Sequence, residues 1–239
     1  MSGVLGLDGC KTGWIGIVLS DDAAPAAVFG HTVDRVVRAA TDLMPISVLG
    51  IDIPIGLPES GPRQADALAR QRLGSRASSV FSTPIRAALE AEPYAEANTL
   101  SRTMSGHGVS AQSYALREKI LEIDGYLARS TVEIIEVHPE VAFAQMNGVA
   151  VPWSKKTWAG HERRRVLLAQ QGIVLPTELG AAGAYASVDD VLDAAAAAWI
   201  AQHHARGESR SLPDPPEPMS NNGTGAIWIA APPQSSLDI

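Results

Sequence analysis

The chain has 239 residues, 46% apolar and 19% charged, with 19 basic against 26 acidic side chains and a net charge of −7. This composition excludes a disordered chain, and the acidic balance argues against a strong non-specific binder of phosphate backbones. A single cysteine, Cys10, excludes an internal disulfide framework and a thiolate zinc site. No apolar run approaches the ~18 residues that span a bilayer, and Met1-Ser2-Gly3-Val4 lacks the regions of a signal peptide, so a cytoplasmic protein is expected.

The opening reads as two strands around a tight turn: Val4-Leu5-Gly6-Leu7 ending in Asp8, then Gly9 to Gly13, then Trp14 to Leu19. A third strand is expected over Ala26 to His31. A helix over Val33 to Leu43 would put Val33, Val36, Val37 and Ala40 on one face. Val48 to Ile53 reads as a fourth strand, apolar except for Asp52. From Arg63 to Arg129 the pattern is mostly helical, clearest over Arg63–Leu73 and Ala111–Arg129. A strand returns at Val132 to Val137, followed by a helix beginning at Pro139, a good first helical residue. Further helices are expected over Gly160–Gln171 and Val188–His204. Pro213 to Pro218 reads as a proline-rich loop, Ala226 to Ala230 as a last strand, and 232–239 as a loose tail. This order predicts one α/β domain over residues 1–231: a mixed sheet flanked by helices, with a helical insertion after the fourth strand at about residues 58–130.

Several carboxylates interrupt apolar segments. Asp8 closes the first strand, Asp52 sits inside the fourth, and Glu136 lies within Ile134-Ile135-Glu136-Val137-His138. A carboxylate buried alone costs several kcal/mol, so each needs a partner or a ligand. In the last long helix, Ser187 is a fitting N-cap and Asp189 and Asp190 suit the first turn. Asp193 lies one turn deeper, beside the apolar face of Val188, Leu192, Ala195 and Trp199. One shared cation accounts for Asp8, Asp52 and Asp193 together. Backbone amides at strand-end turns are the alternative. An all-oxygen set favours Mg²⁺ or Mn²⁺, and two such ions about 3.5–4 Å apart can drive phosphodiester cleavage. Glu133 and Glu140 compete with Glu136 for a fourth place.

The motifs also match a known pattern. Gly6-Leu7-Asp8-Gly9-Cys10-Lys11-Thr12-Gly13-Trp14, Ile51-Asp52-Ile53-Pro54-Ile55-Gly56-Leu57-Pro58, and Arg63, Asp66 and Arg70 come first. Ser78-Ser79-Val80-Phe81, Glu136-Val137-His138-Pro139-Glu140, Ser154-Lys155-Lys156-Thr157 and Asp189-Asp190-Val191-Leu192-Asp193-Ala194 follow. In these stretches the chain resembles the predicted RNase H-like nuclease family, domain of unknown function 429. The resemblance implies an RNase H-like fold with one acid on the first strand, one on the fourth and one on the final helix. Asp8, Asp52 and Asp193 fill those positions, and Glu136 adds a fourth carboxylate.

Candidate substrate contacts are the cations and the histidine near these motifs. Lys11 lies in the first turn, Arg63 heads a run that includes Arg70, Arg72, Arg76 and Arg86, and Lys155 and Lys156 stand in a loop. His138 is two residues beyond Glu136. The expected activity is metal-dependent hydrolysis of a nucleic-acid phosphodiester (RNA, DNA or a hybrid), with weak, salt-dependent binding. The alternatives are an actin-like or sugar-kinase-like phosphotransferase and a non-catalytic binding protein. The former usually needs a duplicated domain and a second glycine-rich loop, which this sequence lacks.

Overall fold

The computed structural model describes residues 2–219 and 223–232. Strand β1 (Gly3–Cys10) turns at Lys11-Thr12 into β2 (Gly13–Leu19), and β3 (Ala26–Gly30) pairs antiparallel with β2. Helix α1 (Val33–Thr41) buries the expected Val33, Val36, Val37 and Ala40, and the Thr32 side chain caps its start. Strand β4 (Ile46–Ile51) then joins β1 in parallel. The chain leaves the sheet through α2 (Gln64–Leu73), a 3₁₀ turn at Gly74–Ser79, α3 (Arg86–Glu90), α4 (Tyr94–Ser105), α5 (Ala111–Ala115) and α6 (Arg117–Leu127). It returns as β5 (Glu133–Val137), α7 (Pro139–Asn147), α8 (Trp158–Gln170) and α9 (Val188–Ala205), and ends in β6 (Ser209–Pro218) and β7 (Thr224–Ala230).

The seven strands form one mixed sheet in the order β3-β2-β1-β4-β5-β7-β6, with β1, β4, β5 and β7 parallel. Helices cover both faces. α7, α8 and α9 pack against Val4, Ile15, Ile17, Val48, Ile135 and Val137, while α1 and α6 pack against Leu5, Leu7, Leu49 and Ile51 on the other side. Among the described residues, no helix is long and apolar enough to cross a membrane.

One close approach sets the geometry of the site. Gly6 of β1 and Gly50 of β4 stand opposite each other in the ladder. A β-carbon on Gly6 would lie 2.1 Å from the Ala194 carbonyl oxygen, and one on Gly50 would lie 2.5 Å from that of Ala197. The alanine run 194–198 therefore lets the backbone of α9 rest directly on the two central strands.

Three expectations are corrected. Asp52 stands one residue past the end of β4 rather than inside it. The expected helix over 111–129 is broken at Leu116 into α5 and α6. The proline-rich segment 213–218 is part of β6, not a loop: β6 is the edge strand, and its ladder with β7 is interrupted between Leu212 and Glu217, where Pro213, Pro215 and Pro216 need donate no N–H. Of the expected tail, residues 233–239 lie outside the described residues.

Candidate active site

The parallel strands β1, β4 and β5 end at one edge of the sheet, where ligands gather in open α/β folds. An open cleft of about 530 Å³ lies there, lined by Asp8, Asp52, His138, Glu140, Lys155 and Asp193 among others. Ladder register brings the first two acids together. Leu7 is opposite Ile51, and the Asp52 N–H donates to the Leu7 carbonyl at 3.1 Å, so the next residue on each strand is an aspartate. The contact of Ala194 with Gly6 delivers the third: Asp193 precedes Ala194 and is 1% exposed.

The hydrogen bonds of these acids are uneven. Asp8 Oδ1 accepts from the Gly9 N–H at 2.7 Å. Asp193 Oδ2 is 2.5 Å from Lys155 Nζ, whereas its Oδ1 is buried with no partner among the described residues. Burial is the main force raising all three carboxyl pKa values. Asp8 is pushed well above the carboxylate range, with Asp52 and Asp193 adding repulsion. Asp52 and Asp193 are each pushed up to about 7, against the pull of Lys155. Burial opposes the charge of Lys155, but Asp193, Asp52 and Asp8 outweigh it and hold the ammonium firmly protonated.

A raised folded-state pKa stabilises the protein while the acid is neutral. That stability is fully present below the ordinary carboxylate value of 3.8 and is lost as pH rises through about 7. In chelator, these acids are therefore expected to lower the thermal midpoint between about pH 5 and about pH 8. Calorimetric scans of the wild type and an Asp193→Asn variant would check this. A difference between the two pH values as large in the variant as in the wild type would exclude Asp193 as a source.

Glu136 is placed differently. In the β4–β5 ladder it is opposite Ile51, on the face away from Gly50 and Ile135. There, still lining the cleft, it meets Arg63. Arg63 Nη1 lies 2.7 Å from Glu136 Oε2 and Arg63 Nη2 lies 2.8 Å from Glu136 Oε1. Arg63 also donates to Asp66 Oδ1 from Nε at 3.2 Å and from Nη2 at 2.7 Å, and to the Ile55 carbonyl from Nη1 at 2.7 Å. All five guanidinium N–H groups are thus used inside the protein, and Arg63 is 2% exposed. No donor of Arg63 is left for a substrate in this arrangement, and Glu136 serves as its counter-ion.

The other cations separate. Lys156 pairs with Asp189 at 3.2 Å. Lys11 is exposed in the β1–β2 turn and does not line the cleft. Arg70 bonds the Val80 carbonyl and Ser82, and Arg86 pairs with Asp124. Arg76 lines the cleft and has no carboxylate partner among the described residues. His138 also lines it, with Nδ1 buried and unpartnered among the described residues; burial pushes its pKa down, so the imidazole is neutral near pH 7.

Glu140 is the site residue that the motifs undervalued. Pro139 at the first helical position puts Glu140 in the first turn of α7, at the cleft. Its Oε1 accepts from the buried Arg164 at 2.7 Å, and its Oε2 is buried without a partner among the described residues. Its charge adds to the repulsion felt by Asp52 and Asp193.

The donor chemistry suits a hard divalent cation: all-oxygen, acidic, desolvated, with the orphaned Oδ1 of Asp193 among the available atoms. Among the described residues, no three acidic, imidazole or thiol side chains are already arranged to hold a metal. Lys155 supplies the positive charge there, bonded to Asp193 Oδ2.

The family model described as "Protein of unknown function (DUF429)" matches residues 6–218. No curated protein and no solved structure matches the chain.

Proposed function

This chain belongs to the DUF429 family, and from that premise we propose that it is a divalent-metal-dependent phosphodiesterase of RNase H-like fold that hydrolyses nucleic acid. The observation that carries this reading is the convergence of Asp8, Asp52 and Asp193 from β1, the end of β4 and α9 into one cleft, where burial and mutual repulsion oppose their ionisation. Protein stability alone does not favour such a cluster, and a cation-binding role does.

Asp8, Asp52 and Asp193 would hold Mg²⁺ or Mn²⁺, with Glu140 Oε2 within the same acidic surroundings. Bound there, such an ion would supply Lewis-acid charge for phosphodiester hydrolysis. The chain's own groups do the rest. Lys155 balances the charge of the acids. The neutral imidazole of His138 can accept a proton in the cleft. Arg76 can receive a phosphate oxygen without surrendering an internal ion pair.

Arg76→Ala is accordingly expected to raise KM about 10-fold with little change in kcat, the signature of lost ground-state and transition-state binding alike. Steady-state kinetics over a substrate series would read this. A fall in kcat with KM unchanged would move Arg76 from binding to chemistry.

The deciding experiment is incubation of purified protein with Mg²⁺ or Mn²⁺ and labelled single strands, duplexes, hybrids and branched junctions. Metal-dependent cleavage that disappears in Asp8→Asn is expected. Absence of cleavage on every substrate would overturn the reading.

A further inference from the structure

Eight carboxylates line the cleft against four cationic side chains, Arg63, Arg76, Lys155 and Lys156. Three of the four are engaged: Arg63 with Asp66 and Glu136, Lys155 with Asp193, and Lys156 with Asp189. Only Arg76 has no carboxylate partner among the described residues. A long strand is held by many phosphate contacts at once, each releasing counterions. This cleft offers one free guanidinium, and its excess of acids repels every further phosphate laid along it.

The aromatic complement is equally small. Phe143 is buried and Phe29 packs against the core. Phe81, the third phenylalanine, is half-buried and lines the cleft. It joins none of the hydrophobic clusters among the described residues. A large apolar ring set beside acids, outside the core, keeps a face available to a ligand.

Arg76 and Phe81 belong to one braced segment. The Ser79 hydroxyl donates to the Arg76 carbonyl at 2.8 Å and the Val80 N–H to the Ala77 carbonyl at 3.1 Å, closing the turn between them. On either side of Phe81 the chain is pinned. Arg70 Nε donates to the Val80 carbonyl at 3.1 Å, and Arg70 Nη2 donates to the Ser82 hydroxyl at 2.8 Å. The Thr83 N–H donates to Asp66 Oδ2 at 2.7 Å, and both Val80 and Thr83 are buried. The backbone that carries the guanidinium and the ring is therefore preorganised, which lowers the ordering cost of binding.

Size narrows the occupant. The cleft volume of about 530 Å³ is in the range that encloses one small ligand, and Asp193 and Asp8, which line it, are only 1% and 8% exposed. A base inside a duplex is paired and covered on both faces, so it reaches neither the ring nor the recessed acids without leaving the stack. We propose that the cleft is a one-nucleotide site. It takes a single unpaired nucleotide, with its base against Phe81 and its phosphate on Arg76, so that affinity does not grow with strand length. The identity of this ligand rests on the phosphodiesterase reading, but the test reads binding and not cleavage.

The full chain carrying Asp52→Asn, which stops turnover, is titrated at fixed Mg²⁺ with oligothymidylate single strands of about 2 to about 16 nucleotides, and with a duplex of the longest length. Expressed per nucleotide, the dissociation constants are expected to agree within about 3-fold across the series. The slope of log affinity against log salt should be no steeper than about −1, as for a single phosphate. Duplex should bind at least about 10-fold more weakly. Phe81→Ala is expected to weaken every single strand about 10-fold, and Phe81→Trp to retain the affinity. Per-nucleotide affinity that climbs more than about 10-fold with length, or a salt slope steeper than about −3, would overturn the proposal. So would duplex bound as tightly as single strand, unchanged affinity in Phe81→Ala, or no binding at all. The length and salt series need no substitution at Phe81, so they decide even where Phe81→Ala fails to fold. Wild-type cleavage together with length-dependent affinity would remove the one-nucleotide site and leave the phosphodiesterase reading intact. Length-independent, Phe81-dependent binding without any cleavage would do the reverse.

Discussion

Asp52→Asn is expected to lose at least about 100-fold in metal-dependent cleavage and yet, in chelator at about pH 8, to unfold at a higher temperature than the wild type. The two effects have one cause. Asp52 has no side-chain cation of its own; burial, Glu136 and Glu140 push its pKa up to about 7, although Lys155 pulls against them. At about pH 8 the folded protein therefore holds a carboxylate that the site resists ionising. Asparagine keeps the shape and removes the charge. Part of Asp52 is open to the cleft, and a buried amide has needs of its own, so the gain is on the order of 1–2 kcal/mol rather than the full value of the shift. That corresponds to a few degrees in thermal midpoint for a chain of this size. At about pH 5 the folded wild type already carries the neutral acid, and the gain should vanish. Added Mn²⁺ should raise the wild-type midpoint and leave the variant almost unmoved. Calorimetry at both pH values, with and without the ion, supplies all four numbers. A variant that is less stable than the wild type at about pH 8 and still active would mean that Asp52 has a structural partner and no cation.

The parts of this site legible in the sequence are those whose logic is local or periodic. Val33, Val36, Val37 and Ala40 declared a helix face by spacing, and Ser187 with Asp190 declared a capping box; the structure has both. The alanine run of α9 packs on Gly6 and Gly50. Asp8 and Asp52 stood out because apolar strands seldom carry an unpaired acid. What stayed hidden depends on register and long-range pairing. Glu136 looked equivalent to the two aspartates, and only its position opposite Ile51 turns it to the other face. Arg63 looked like a phosphate contact because nothing in its own helix shows that its main partner is 73 residues away. β6 was obscured because prolines read as a loop until the strand is known to be an edge. Arg76 was one arginine in a group of five, distinguished only by being the one that faces the cleft without an acid of its own.

Arg63→Met is expected to destabilise the protein by about 3–5 kcal/mol, because it strands buried carboxylates instead of removing a surface charge. The guanidinium serves Asp66, Glu136 and the Ile55 carbonyl together, and no part of it turns to solvent. Its carboxylate neighbours accept further bonds from the backbone. The Ile55 N–H donates to Glu136 Oε2 at 2.6 Å, and the Thr83 N–H donates to Asp66 Oδ2 at 2.7 Å. Burial drives the Glu136 pKa upward and Arg63 restrains it, so loss of the arginine leaves a carboxylate with little reason to ionise. The same network pins Ile55, three residues beyond Asp52, and ties α2 to the end of β5. Activity should therefore fall with stability, through a misplaced Asp52. The triple variant Arg63→Met, Asp66→Asn, Glu136→Gln separates charge from shape: it should recover most of the lost stability, since the stranded charges are gone. Urea unfolding of the single and triple variants gives both values. A single-variant loss below about 1 kcal/mol, accompanied by a large rise in KM, would instead make the guanidinium a phosphate ligand.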